Sequence, residues 1–172
     1  MVLYHGTTEK YARDICQNGV RIIKSYKSVD FGMGFYTTPS YDGARKWAIR
    51  KAISYRENPS IVKVYADETQ MKTMLTRFED DLRWGRFIIN NRNGILYISK
   101  VTFKEHNLDA RYDITYGRIA DLDVYNIAAE LKQSCEMLDD ISRIFNPKYA
   151  FQYAFHTNKG IKCIEKATYR NL

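Results

Sequence analysis

Apolar runs of strand length stand at both ends of this chain, and helical patterns fill its middle. The order reads strand, helix, strands, helices, strands. That order belongs to an α+β fold, not to the regular alternation of a doubly wound parallel sheet. "MVLYHGT" ends a short apolar run at a His-Gly pair, as a strand entering a turn does. "TEKYARDICQNG" predicts a helix with Tyr11, Ala12 and Ile15 on one face, capped by Thr7 or Thr8 and stopped at Gly19. "GVRIIKSY" reads as a second short strand, "DFGMG" as a glycine-rich turn and "FYTT" as a strand end. From Ser40 onward "SYDGARKWAIRKAISYRE" predicts an amphipathic helix capped by Ser40, with Ala44, Trp47, Ala48, Ala52 and Ile53 inward.

"SIVKVYADE" alternates like a half-buried strand. Residues 69–91 read as helical through Met71, Met74, Leu75, Phe78, Leu82, Phe87 and Ile88, and carry Arg77, Arg83 and Arg86, with Arg92 just beyond. The chain of 172 residues is therefore read as one domain, 1–172, with a helical insertion near 69–92. The Arg77–Arg92 run is either a solvated helix face or a guide for an anionic substrate; Lys24, Lys27 and Arg45 offer the same choice. "GILYISKVTFK", "RYDITYG", "YAFQYAFHT" and "IKCIEKATY" predict further strands, and "DLDVYNIAAELKQSCEMLDDISRIF" is mostly helix.

A formal charge of +7 either favours acidic partners (nucleic acid, a nucleotide, or an acidic antitoxin-like protein) or reflects solubility and nothing more. The 14 tyrosines supply flat faces with polar tips, suited to pockets and nucleic-acid surfaces as well as to cores. Cys16, Cys135 and Cys163 are odd in number and widely spaced, which argues against a disulfide framework and against a zinc site. No run approaches the ~18 apolar residues that span a bilayer. The first residues show no charged start followed by an apolar stretch, so a cytoplasmic protein that does not engage membranes is expected.

Two places could carry chemistry. His5 at a strand end, followed by Gly6, offers a ring beside an approachable backbone. Such a pair can grip a ribose hydroxyl while the glycine main chain meets a carboxamide; a satisfied core histidine is the plainer alternative. Tyr36 and Trp47 stand eleven residues apart, on a strand and the following helix. Their rings could sandwich a planar, partly cationic ring, or pack separately in the core. His156 shares strand parity with Gln152, and a core or strand-end role suits it better than a place in a cleft.

Taken together, "YHGT" and "GFYTT…YDGARKW" resemble the NAD-binding signature of the ADP-ribosyltransferase superfamily, in its diphtheria-toxin and poly(ADP-ribose)-polymerase branch. The whole chain also resembles a bacterial domain-of-unknown-function family, number 3990, through "YDITYGRIAD" and "QYAFHT". The resemblance implies a split two-sheet α+β core and a metal-free cleft for NAD⁺ as substrate. It implies that His5 bonds the adenosine ribose, that the Gly6 main chain pairs with the nicotinamide amide, and that Thr7 adds a hydroxyl. Tyr36 would stack on nicotinamide with Trp47 as the facing wall, and Tyr4, Gly34, Phe35 and Thr37 belong to the same NAD-binding segments. Gln152 would take the third triad position, where the branch usually has Glu. A glutamine accepts a ribose hydrogen bond but is no general base near neutral pH. Another carboxylate could serve, with Asp113 and Asp121 as candidates. The expectation is a mono-ADP-ribosyltransferase acting on nucleic acid or protein, in the manner of a bacterial toxin with an antitoxin partner. The alternatives are a noncatalytic NAD⁺ or ADP-ribose module, an NAD⁺ glycohydrolase, and a basic nucleic-acid-binding domain.

Overall fold

The computed structural model describes residues 1–22, 29–79, 81–93, 106–120 and 150–172. In chain order these form β1 (Val2–Thr8), α1 (Glu9–Asn18), β2 (Phe35–Thr37), α2 (Tyr41–Tyr55), β3 (Pro59–Ala66), α3 (Glu68–Met74), β4 (Leu75–Phe78), α4 (Asp81–Asn93), β5 (Ile114–Arg118), β6 (Phe151–Phe155), α5 (Asn158–Ile161) and β7 (Ile164–Asn171). The strands make two sheets, ordered β1-β3-β7 and β2-β6-β5-β4. The α+β expectation is met. Each sheet joins segments distant in sequence, so neither could be assembled from hairpins alone.

One core is shared by both sheets. Leu3, Val62 and Val64 of the first sheet meet Phe35, Ile114, Tyr153 and Phe155 of the second, together with Ala12 of α1 and Met71 of α3. Strand side chains alternate between faces, so Ala154 turns to the opposite side of the four-stranded sheet. There it joins Phe31, Phe78, Trp84, Phe87 and Ile88 in a second core under α4. Burying each large apolar side chain stabilises by about 1.5–3 kcal/mol. A third, small cluster holds α2 on the first sheet through Ala44, Ala48 and Ile61.

Several local expectations hold for stated reasons. Gly19 ends α1 at φ 80°, a conformation that strains any residue with a Cβ. Ser40 caps α2 by accepting from the Gly43 N–H at 3.0 Å. Asp67 caps α3 by accepting from the Thr69 and Gln70 N–H groups.

Others do not. Residues 69–91 are helix, strand, helix. Met71, Met74, Leu75 and Phe78 fit a helical period, yet Leu75–Phe78 pair in parallel with Ile114–Gly117 and complete the second sheet. Tertiary pairing overrides the local pattern there. In α2 the inward residues are Ala44, Ala48 and Ala52, whereas Trp47 and Ile53 are 52% and 73% exposed. Helix and sheet approach so closely that only small side chains fit between them: a Cβ on Gly6 would lie 2.0 Å from the Ala44 carbonyl oxygen. Residues 19–22 are not in a strand. The strand expected over 94–104, the helix over 121–145, and Lys24, Lys27, Asp121 and Cys135 lie outside the described residues.

Candidate functional site

The two sheets touch along one backbone bridge and then part. Tyr4 and Thr38 exchange N–H···O bonds, each 2.8 Å long. The next pair of that register, Gly6 with Tyr36, does not form. Instead the Tyr36 carbonyl accepts a 2.6 Å hydrogen bond from the His5 ring through Nδ1. Burial, then the nearby Lys51 ammonium, pushes the His5 pKa down to about 3, so the ring is neutral at physiological pH. A neutral imidazole that donates from Nδ1 presents Nε2 as an acceptor. Alternation along an antiparallel strand points the Gly6 N–H and C=O away from β3, on the side where the sheets separate.

The turn over residues 29–34 ties the second sheet to this point. The Tyr36 hydroxyl accepts from the Phe31 N–H at 3.0 Å and donates to the Gly32 carbonyl at 2.5 Å. Burial, then the charge of Asp30, holds that phenol well above the usual tyrosine range, so it stays protonated. Gly32 at φ 82° makes the reversal possible, and a Cβ there would sit 3.0 Å from the Asn107 carbonyl oxygen. Asp30 opens the turn and is buried. Its Oδ1 accepts from Arg92 Nε at 2.8 Å and also pairs with Arg92 Nη2. Its Oδ2 accepts from Gln152 Nε2 at 2.8 Å and from the Ala120 N–H at 3.2 Å. Because only the amide nitrogen can donate to a carboxylate, this bond turns Gln152 Oε1, the acceptor end, away from Asp30.

The structure thus links His5, Tyr36 and Gln152 through one turn. His5 holds the Tyr36 main chain, the Tyr36 hydroxyl sits in the 31–32 backbone, and Asp30 of the same turn orients Gln152. Phe35 packs on the His5 ring at 4.6 Å between centroids, and Thr7 is buried one strand pair beyond it. The Thr37 hydroxyl is buried with no hydrogen-bond partner among the described residues. Tyr4 meets the edge of Tyr41, with ring centroids 5.4 Å apart. Gly34 is required by its neighbour His156, whose Nδ1 would lie 2.8 Å from an added Cβ.

Trp47 does not join this group by ring contact. The Tyr36 ring packs on Phe31 at 6.4 Å, and Trp47 lies half exposed on α2. His156 serves the strand end. Its ring donates to the Met33 carbonyl and accepts from the Thr115 hydroxyl, which pins the glycine turn to β5 and β6. Burial lowers its pKa to about 4. Asp113 is engaged by the Thr157 hydroxyl at 2.5 Å and Lys159 at 3.0 Å, so it fastens α5 to β5. Arg92 is neither a solvated helix residue nor an open guide for anions, since it is the buried partner of Asp30. Arg77 lies over the Tyr116 ring and pairs with Glu79.

Sequence reasoning missed Asp30 and read Arg92 only as part of an arginine run. An acidic residue opening a glycine turn is an ordinary turn former, and no local spacing tied it to residues 92 or 152. Among the described residues no group of three or more His, Cys, Asp or Glu could hold a metal ion.

A family model described as "Protein of unknown function (DUF3990)" matches residues 1–166. The chain belongs to the DUF3990 family. No curated protein and no solved structure matches it. In this DUF3990 chain the matched span takes in β1, the 29–37 turn and strand, and β6, so every residue linked above lies within it. No helix among the described residues of the DUF3990 chain is long and apolar enough to cross a membrane.

Proposed function

We propose that this protein is a mono-ADP-ribosyltransferase with an ADP-ribosyltransferase fold, which transfers ADP-ribose from NAD⁺ to a macromolecule and releases nicotinamide. What carries the reading is the convergence of three remote segments, "YHGT", "GFYTT" and "QYAFHT", on the 30–36 turn through the His5–Tyr36 and Asp30–Gln152 bonds. In this reading a ribose hydroxyl donates to His5 Nε2. The Gly6 N–H and C=O meet the carboxamide of nicotinamide, with Thr7 beside them. The Tyr36 ring lies against the leaving ring, and Trp47 closes over it from α2. Gln152 Oε1 accepts from the 2′-hydroxyl of the nicotinamide ribose. The bond from ribose C1′ to the nicotinamide nitrogen breaks, and nicotinamide leaves with the electron pair. The acceptor's nucleophile bonds to C1′ and loses its proton to solvent water. A preorganised dipole at the ribose stabilises the cationic character that builds there. A bacterial cytoplasmic toxin held by an antitoxin is the setting we propose.

The test is purified protein with labelled NAD⁺, with and without cell lysate. Nicotinamide release that depends on lysate, with label fixed to a macromolecule, is the expected result. Tyr36→Ala should weaken NAD⁺ binding by ~1–3 kcal/mol, and undiminished affinity in a folded variant would remove Tyr36 from the site. Gln152→Ala should lower turnover more than binding. A second reading, a noncatalytic NAD⁺ module, is favoured by one observation: the carboxylate beside Gln152 is already engaged by Arg92 and Gln152. Binding without release in either condition would select it.

A further inference from the structure

The outer face of the first sheet has a composition that the NAD⁺ reading does not use. Cross-strand partners share a face. The register sets Tyr4 beside Lys63 beside Thr168, Val2 beside Tyr65 beside Lys166, and Gly6 beside Ile61 beside Arg170. These rows hold three cations and two tyrosines and no Asp or Glu. Helix α2 covers the Gly6 end and adds Tyr41, whose ring lies 5.2 Å from the Arg170 guanidinium and whose hydroxyl bonds to it. Lys63 Nζ stands 5.0 Å from the Tyr65 ring. Among the described residues Lys63, Lys166 and Arg170 have no carboxylate partner. A cavity of about 250 Å³ opens between Tyr4, Tyr41, Lys63 and Arg170. That is smaller than the ~300–1,000 Å³ of a drug-sized ligand site; it has room for a single planar base with its sugar and phosphate outside.

We propose that this face binds single-stranded nucleic acid, with phosphates on Lys63, Lys166 and Arg170 and one base in the Tyr4–Tyr41 cavity. Cations that follow the backbone, with aromatic faces between them, are what a single strand needs and what a paired duplex cannot use, because its bases are already stacked. The face ends at Tyr4, the residue that bridges the two sheets and precedes His5. A bound strand would therefore run up to the point where the sheets part. The proposal stands on this face alone and does not require turnover of NAD⁺.

Fluorescence anisotropy with a labelled RNA of about 12 nucleotides, the same DNA strand and the matched duplex tests it. Single strands should bind more tightly than the duplex, with a log–log salt slope of about −2 between about 50 and about 200 mM salt, as three phosphate contacts give. The triple variant K63A/K166A/R170A should bind about tenfold or more weakly and flatten that slope. Tyr41→Ala should cost about fivefold or more. Circular dichroism checks that the variants fold, and Lys166→Glu, on the exposed edge strand, repeats the test with one outward side chain. A duplex bound as tightly as the single strand, an equal loss in K46A/R50A on the outer side of α2, or no binding at all overturns the proposal. Lost RNA binding with nicotinamide release intact upholds this face and leaves the NAD⁺ reading untouched; bound RNA with no release separates them the other way.

Discussion

The two sheets are backed by opposite means. The first sheet, β1-β3-β7, takes α2 against it through Gly6, Ala44 and Ala48, an almost side-chain-free contact in which backbone meets backbone. The second sheet, β2-β6-β5-β4, takes α4 and the 29–34 turn against it through large aromatics and a buried polar cluster: Asp30, Arg92, Gln152, His156 and Thr115. Steric fit governs the first contact, and hydrogen-bonded charge governs the second. The first should therefore fail on added volume. The second should tolerate little loss of polarity and respond to protons.

The largest effect is expected on the polar side. Asp30→Ala leaves Arg92 without its buried counter-charge and should destabilise by about 3–5 kcal/mol, read from urea denaturation. A loss below about 1 kcal/mol would mean that the cluster is solvated and that the contrast between the sheets is overstated.

Next comes pH. His156 is neutral when folded, with a pKa near 4, against about 6.5 unfolded. Between those values the unfolded chain binds the extra proton. The stabilising contribution is thus present above about pH 6.5 and is lost as pH falls toward 4, a change of about 3 kcal/mol. His5, depressed to about 3 by burial and Lys51, acts in the same direction. Thermal midpoints from pH 7 to pH 4.5 should fall, and the fall should shrink in His156→Gln. A flat profile would contradict the buried, neutral assignment.

On the steric side, Gly6→Ala drives a Cβ into the Ala44 carbonyl and the Ala48 backbone nitrogen. It should cost about 1–3 kcal/mol at pH 7, read from urea denaturation. A loss below about 0.5 kcal/mol would show that α2 can draw back from β1 without cost. The smallest effect belongs to Trp47→Ala. Its side chain is half exposed, so stability should change by no more than about 0.5 kcal/mol. NAD⁺ affinity measured on the same variant then reports ligand contact alone.

Much of the fold was legible because its signals were local. Gly19 ends α1 and Ser40 starts α2 where turn and cap chemistry require. The alternating runs at β1, β3, β6 and β7 are strands. The residues around β4 misled because Met71, Met74, Leu75 and Phe78 satisfy a helical period, while the decision lay with β5, some forty residues on. Trp47 misled because a large aromatic on an amphipathic helix ordinarily faces the core, whereas here Gly6 admits the helix backbone too closely for it. In the candidate site His5, Tyr36 and Gln152 could be named from short motifs. Asp30 and its pairing with Arg92 could not, because a salt bridge between residues 62 positions apart leaves no mark on either local pattern.

Composition, strand and helix periodicity, and turn residues depend on near neighbours, so the chain alone determined its α+β class, most of its elements and the three motif segments. Which strands pair, how closely α2 lies on β1, and which charges meet beneath Tyr36 were decided only by tertiary structure. Those outcomes depend on contacts between distant segments, whose energies exist only once the sheets have brought them within a few ångströms.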